Sequence, residues 1–289
     1  MTDFIKLHSK HFNFKKFVLN AFAEDVGNGD HTSASTIPHN HKGKMQLLVK
    51  EDGIIAGVEV AVKLFKLVDK KFKLKVFIGD GEKVKKGDIV FVVEGNTQKL
   101  LTTERLVLNI MQRMSGIATK TNHLQNLCTN TKAIVIDTRK TTPGFRFFEK
   151  WAVVIGGGAN HRYGLFDMIL IKDNHIDFSG GIIEAIDAAS HYLKKKKIKL
   201  DIEVETRTIE DVKKVIKHGG VKRIMLDNYS PKQTAQAVKL INGKFEVESS
   251  GGITEKNISE YAKCGVNFIS IGALTHHIKS LDLSLKAVK

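Results

Sequence analysis

Arg105, Arg139, Lys140, His161, Arg162 and Lys172 are cations placed on a long helical stretch, in a glycine-rich loop, or where short apolar runs give way to polar residues. Arginine forks hold carboxylates and phosphates bidentately, and lysine serves the same groups as a point charge. Any one of these residues alone could be making a surface salt bridge; together they suit a small, strongly anionic ligand. Acidic groups accompany them. Glu203 and Glu205 are two apart and so share one side of a strand, and Asp227 lies just beyond the next. Such carboxylates can bind ribose hydroxyls, hold Mg²⁺ through water or stabilise a cationic sugar in a transition state; they can equally neutralise Lys140 and Lys172. Ser249-Ser250-Gly251-Gly252 and Ser270-Ile271-Gly272-Ala273 end two later runs, where backbone N–H groups can cradle a phosphate, although either alone is also an ordinary tight turn. Gly156-Gly157-Gly158 with Asn160-His161-Arg162 forms a third loop, without the Lys-Ser/Thr ending of a nucleotide P-loop. His39, His41, His276 and His277 show no metal spacing and read as surface or packing residues.

The elements that must position these groups fall into two patterns. In the first half, Phe14, Phe17, Val18, Ala21 and Phe22 recur at helical spacing before Gly27. Short alternating segments at 44–50, 53–56, 72–77 and 88–94 then predict a small antiparallel sheet. A helix over about 102–126 links the halves. In the second half, apolar runs at 133–136, 168–171, 201–204, 223–226, 245–247 and 267–271 alternate with helical segments, one of them opened by Thr142-Pro143. This alternation predicts βαβ units and a parallel sheet. In a parallel barrel the polar ends of all these runs open on one face, where such enzymes keep their sites. The runs are too few for a complete eightfold barrel, so the fold class expected is α/β, an N-terminal α/β sandwich followed by an open, irregular parallel α/β barrel. The domains expected are 1–116, the sandwich with the linking helix; 117–275, the catalytic barrel; and 276–289, a tail packing back on the first domain.

The 289 residues leave ample length for such a core, and apolar residues, 42% of the chain, are spread along it with no run near the ~18 needed to span a membrane. Residues 1–16 lack the apolar centre and cleavage site of a signal peptide. Two cysteines, Cys128 and Cys264, give neither a disulfide framework nor a metal spacing, which suits a reducing cytoplasm. Lys and Arg number 46 against 31 Asp and Glu, a net charge of +15 that admits either nucleic acid or a small anionic substrate. The densest run, Lys194 to Lys197, has no interleaved aromatics for base stacking and reads as a solvated loop or helix end.

Asp137-Thr138-Arg139-Lys140-Thr141-Thr142-Pro143-Gly144, Gly156-Gly157-Gly158-Ala159-Asn160-His161-Arg162 and Leu170-Ile171-Lys172-Asp173-Asn174-His175 resemble the central signature of the quinolinate phosphoribosyltransferases, the carboxylating nicotinate-nucleotide pyrophosphorylases. The likeness extends to residues 24–33, to Thr103-Glu104-Arg105-Leu106 and to Glu248-Ser249-Ser250-Gly251-Gly252-Ile253, in the expected order along nearly the whole chain. Val153-Val154-Ile155 before the triple glycine is more apolar than the family pattern. The resemblance implies type II phosphoribosyltransferase architecture and a homodimer, which could pair further. It implies conversion of quinolinate and phosphoribosyl pyrophosphate to nicotinate mononucleotide, pyrophosphate and CO₂, with Mg²⁺. It assigns Thr138, Arg139, His161, Arg162 and Lys172 to the quinolinate side, with Arg105 arriving from the partner subunit. Lys140, Lys172, Glu203 and Asp227 resemble the ribose-pyrophosphate side, with Lys140, Glu203 and Asp227 catalytic and the two carboxylates holding the metal through water. Ser249, Ser250, Gly251, Gly252, Ser270, Gly272 and Ala273 resemble its phosphate cradle. Three other readings compete: the molybdenum-transport-associated paralogue of this family, a nucleic-acid-binding protein, and, for residues 79–88, the turn of a biotinyl or lipoyl carrier. The retained Arg105, Arg139, Arg162 and Lys172 favour a dicarboxylate. The carrier turn lacks a Met-Lys-Met tip and reads as a structural hairpin, and no nucleic-acid or membrane partner is expected.

Overall fold

The computed structural model describes residues 11–288, so most of the N-terminal stretch considered above, and the last residue of the tail, lie outside the described residues. The chain forms two compact units. One holds the residues up to Asn122, Thr141–Gly157 and those from His277 on; the other holds His123–Lys140 and Gly158–His276. The segment 141–157, inside the stretch 117–275, therefore groups with the first unit.

Local signals shape the first unit. Asn13 accepts the Lys16 N–H at 2.9 Å and caps α1 (Phe14–Val26), and Gly27 ends it at φ 54°, a conformation that favours a residue without Cβ. Asp30 caps α2 (His31–Thr36) through Ser33. The strands β1 (Lys42–Val49), β3 (Lys73–Val76), β5 (Ile89–Asn96) and β12 (Leu283–Ala287) make an antiparallel sheet in the order β12-β1-β5-β3, while β2 (Gly53–Ile54) pairs β4 (Lys83–Val84). Strict alternation in β1 buries Met45, Leu47 and Val49 on one face. Phe65 of α3 (Val58–Val68) meets Phe72 and Phe91 edge to face. The Gly79-Asp80-Gly81 turn has a structural task, because Asp80 accepts the Val58 and Glu59 N–H groups at 2.8 and 3.0 Å and caps α3 in place of Gly57.

The linking helix α4 spans Thr97–Asn126, five residues longer at its start than its sequence pattern suggested. The next helix, α5 (Arg146–Ile155), begins later than Thr142-Pro143 because Thr142 is held elsewhere. Its N–H and hydroxyl donate to the buried Glu149 carboxylate at 3.0 and 2.9 Å, and Arg113 donates to the same carboxylate at 2.9 Å. Phe148 sits fully buried in a cluster with Phe12, Phe17, Phe145 and Phe147. Gly156 follows α5 where an added Cβ would lie 2.5 Å from the Ala118 carbonyl oxygen, so the first glycine of the triple serves close packing against α4.

The second unit is a six-stranded parallel sheet. It comprises β6 (Ile134–Ile136), β7 (Ile169–Ile171), β8 (Ile202–Thr206), β9 (Arg223–Asp227), β10 (Glu246–Ser250) and β11 (Phe268–Ser270), in the order β6-β11-β10-β9-β8-β7. The helices α6 (Asp173–Ser179), α7 (Ile182–Lys196), α8 (Ile209–His218), α9 (Pro231–Ile241), α10 (Ile258–Lys263) and α11 (Ala273–His276) connect and follow these strands. Capping boxes, Thr208 with Asp211 and Ser230 with Gln233, start α8 and α9. Val204, Ile224, Leu226, Val247 and Ile269 occupy the helix-covered face, all buried. Among the described residues β6 and β7 do not pair with each other, so the barrel is open and irregular. Ala159 bridges Ile136 in parallel and lays the segment before His161 beside β6, a short extension without a sequence signal of its own.

Because Phe148 anchors the aromatic cluster, Phe148→Ala should destabilise the protein by about 3–5 kcal/mol. A melting temperature within a degree or so of the parent would show that the cluster is not a core.

Candidate active site

Strand alternation sends Glu203 and Glu205 of β8, Arg223, Met225 and Asp227 of β9, and Glu246, Glu248 and Ser250 of β10 to the inner side of the sheet. The register pairs Glu203 with Arg223 and Arg223 with Glu246, and Ser250 with Asp227. Moving two residues toward a strand's C-terminus therefore moves a side chain from the interior toward the strand ends. There a cavity of about 770 Å³ opens, lined by Thr138, Arg139, Lys140, His161, Arg162, Lys172, Asp227, Ser250, Gly251, Gly252, Ser270, Gly272 and Ala273 among others. Those residues, expected from the sequence to form a site, are thus brought together.

Arg105, Glu203 and Ser249 are not part of the lining. Arg105 is exposed on α4 in the first unit. Ser249 is buried and alternates onto the face opposite Ser250. Glu203 is completely buried, with Oε2 at 3.0 Å from His161 Nε2 and 3.9 Å from Arg223 Nη1, so its carboxylate faces other protein groups and not the cavity. Its neighbour Glu205 takes the position at the wall, with Oε2 4.0 Å from Lys172 Nζ. The i, i+2 spacing signalled two inward carboxylates, and chain order put Glu205 nearer the strand end, but the sequence did not show that the deeper Glu203 would be taken up by His161 and Arg223. Glu248 and His276 also line the cavity, although the sequence offered no metal or catalytic spacing for either.

The turns hold their shape for identifiable reasons. Gly251 has φ 86°, and a Cβ there would collide with the Asn228 side chain and approach its backbone nitrogen. An added Cβ at Gly272 would lie 2.8 Å from His276 Nε2 and 3.1 Å from Lys140 Cδ, so glycine lets those side chains close on the turn. The Thr138 hydroxyl accepts the Lys140 N–H at 3.0 Å, and the Lys140 carbonyl accepts from Thr275 Oγ1 at 2.8 Å. Asp137 receives the His161 N–H at 2.9 Å and the Asn160 amide at 2.6 Å, which ties the loop before Arg162 to the end of β6. The Arg162 guanidinium donates to the Met168 carbonyl at 3.2 Å.

Burial pushes the Glu205 carboxyl above its ordinary value and the adjacent Asp227 carboxylate adds to this, while Lys172 opposes it. Asp227 is likewise raised by burial, against the Asn228 amide, Lys172 and Lys140. Two carboxyls that burial and neighbouring acids push toward the neutral form suit a hard divalent cation better than they suit isolation, so Asp227 and Glu205 fit Mg²⁺. Glu203 does not fit that role. The cluster His161, Glu203 and Glu248 could by spacing hold a metal, but Arg223 Nη1 already lies 3.0 Å from Glu248 Oε2 and supplies the positive charge there. Burial and the Glu203 carboxylate beside it raise Glu248 to about 7, against the opposing charge of Arg223.

An open parallel α/β barrel with a cation-lined pocket, paired carboxylates and glycine turns at its strand ends defines an enzyme that handles small phosphorylated, carboxylated substrates. Residues 30–115 match the quinolinate phosphoribosyl transferase N-terminal domain, and 117–286 match the C-terminal domain. The chain is 46% identical over 290 residues to a chloroplastic carboxylating nicotinate-nucleotide pyrophosphorylase of Arabidopsis thaliana, spanning 95% of this chain and 83% of that one. It is 44% identical to a mitochondrial decarboxylating quinolinate phosphoribosyltransferase of Nicotiana glauca, covering 95% and 82%. The crystal structure of NadC from Streptococcus pyogenes superposes with a TM-score of 0.90 at 37% identity, covering 96% of this chain and 97% of that one. The chain belongs to the quinolinate phosphoribosyltransferase family.

Folded Glu248 keeps its proton to about pH 7, whereas in the unfolded chain it loses it near the ordinary carboxyl value of 4.5. The folded state binds more protons in that window, so stability should fall as pH rises from about 4.5 to about 7 and level off above. Denaturant midpoints at about pH 5 and about pH 8 should therefore differ less in Glu248→Gln than in the parent. Parallel profiles would exclude Glu248 as the source.

Proposed function

We propose that this chain transfers the phosphoribosyl group of phosphoribosyl pyrophosphate to quinolinate with decarboxylation, giving nicotinate mononucleotide, pyrophosphate and CO₂ for NAD biosynthesis. The observation that carries the reading is one cavity lined by Arg139, Arg162 and Lys172 together with Glu205, Asp227 and the Gly251 and Gly272 turns. Such a set offers forks for two carboxylates, oxygens for a ribose and its metal, and backbone donors for a phosphate.

In this reading Arg139 and Arg162 hold the quinolinate carboxylates and Lys172 lies between the two halves of the site. Lys140 neutralises the departing pyrophosphate, and Ser250, Gly251, Gly252, Ser270, Gly272 and Ala273 receive the 5-phosphate. Mg²⁺ bound at Asp227 and Glu205 would supply Lewis-acid stabilisation of the pyrophosphate. As the bond from the anomeric carbon to pyrophosphate breaks, Glu205 and Asp227 stabilise the developing oxocarbenium charge, and the ring nitrogen attacks that carbon. The pyridinium so formed accepts the electron pair released when the adjacent carboxylate leaves as CO₂, and the carbon then takes up a proton. Much of the rate comes from holding the two substrates in line. The excess positive charge of the chain then serves small anions and not a polynucleotide. No helix among the described residues is long and apolar enough to cross a membrane, and two free thiols, Cys128 and Cys264, suit a reducing cytoplasm.

Incubation with quinolinate, phosphoribosyl pyrophosphate and Mg²⁺ should yield nicotinate mononucleotide, whereas nicotinate should not replace quinolinate, because one carboxylate would leave part of the cation set of the site unpaired. Comparable turnover of nicotinate would overturn the assignment of Arg139, Arg162 and Lys172.

Arg105 completes the site of a neighbouring subunit in a homodimer. Arg105→Ala and Lys140→Ala, each inactive alone, should regain activity when mixed under subunit exchange, since a mixed dimer contains one site with both groups intact. Exchange verified by a tag without return of activity would confine Arg105 to its own chain.

A further inference from the structure

His161 lines the cavity, yet neither of its ring nitrogens is available to a ligand there. Nδ1 accepts the backbone N–H of Arg162 at 2.6 Å. Nε2 faces two buried carboxylates, Glu203 Oε2 at 3.0 Å and Glu248 Oε2 at 3.6 Å, the nearer one approaching obliquely and not along a straight hydrogen bond. A ring nitrogen that accepts an N–H carries no proton of its own, so the proton of the neutral ring sits on Nε2, toward the carboxylates. A proton on Nδ1 would set donor against donor at Arg162.

Behind this pair the charges continue inward. Arg223 Nη1 lies 3.0 Å from Glu248 Oε2 and 3.9 Å from Glu203 Oε2, and its Nη2 lies 3.1 Å from Glu246 Oε2. Its guanidinium also lies over the Phe268 ring, 3.9 Å from the centroid. Glu203 and Glu248 are both completely buried, so each needs a partner in place.

We propose that Glu203 and Glu248, with Arg223 as their counterion, are positioning residues that hold His161 as a neutral ring protonated on Nε2. His161 thereby fixes the Arg162 backbone and presents carbon, not charge, to the substrate. This rests on the quinolinate reading for its consequence, while the state of the ring can be tested without any substrate. It removes His161 from the cations counted for the dicarboxylate, leaving Arg139, Arg162 and Lys172 within this chain. It also assigns Glu203 a task on the quinolinate side of the site and none on the metal side. Burial and the nearby Arg139 disfavour the charged Arg162 guanidinium, so its placement depends on a well-held backbone.

The test combines spectroscopy with kinetics. In protein labelled with ¹⁵N-histidine, the His161 signals, identified by their loss in His161→Gln, should show a protonated Nε2 and an unprotonated Nδ1 at neutral pH. Glu203→Ala, which leaves Arg223 with Glu246 and Glu248, should raise KM for quinolinate about tenfold with KM for phosphoribosyl pyrophosphate unchanged. Glu203→Gln, which keeps an acceptor oxygen, should restore most of that loss. A doubly protonated or Nδ1-protonated ring in the parent protein overturns the proposal even if the enzyme turns over quinolinate normally. So does a Glu203→Ala variant in which both KM values move together, or in which only the melting temperature falls. If the parent shows no activity on quinolinate while the ring state is as expected, the substrate reading fails and the clamp on His161 stands.

Discussion

A guanidinium buried inside a parallel sheet is costly unless carboxylates surround it, and Arg223 is placed where the two flanking strands deliver them. The pairing of β8, β9 and β10 sets Glu203 and Glu246 directly beside Arg223, with Glu248 one inward position further along. Removing Arg223 would leave the buried Glu203 and Glu248 without their counterion. Strand register, the charge on His161 and the pose of the loop that carries Arg162 all depend on this balance.

The same period of two that builds this interior also divides the acidic groups by depth. Glu203 and Glu205 have one chemistry and one facing direction, yet the first answers to His161 and Arg223 while the second faces Lys172 at the cavity wall. On β9 the deep position is Arg223 and the rim position Asp227; on β10 they are Glu246 and Ser250. Charge compensation governs the deep layer, and ligand chemistry governs the rim. Glu248 stands between them, at the cavity but fully buried, which is why its proton is retained to about pH 7.

Support for the first unit follows a similar economy of buried polar groups. Glu149 collects Arg113 and both donors of Thr142, and Asp80 caps α3 where Gly57 has no side chain to do so. In each case a single carboxylate satisfies backbone N–H groups that an isolated helix or turn would leave to water.

Much of the fold and most of the site residues were legible in the chain. The β-branched runs gave the parallel strands, their polar ends gave Thr138, Arg139, Lys140, Lys172 and Asp227, and the glycines after the last two strands gave the Gly251 and Gly272 turns, because periodicity and backbone freedom are properties of a few adjacent residues. Signals of that kind run out where distance in sequence matters. That Thr142 turns toward Glu149 and delays α5, that Ala159 joins β6, and that Ser249 faces away from the cavity follow from pairings the chain alone does not display. The sequence by itself determined that carboxylates and cations would meet at the ends of parallel strands, since residue types and a period of two require it. Only the tertiary structure decided that Glu203 meets His161 and Arg223, and that His161 Nδ1 accepts from the Arg162 backbone while Nε2 faces buried carboxylates, because which buried charges neutralise one another is set by the register between strands and by the loop laid against them.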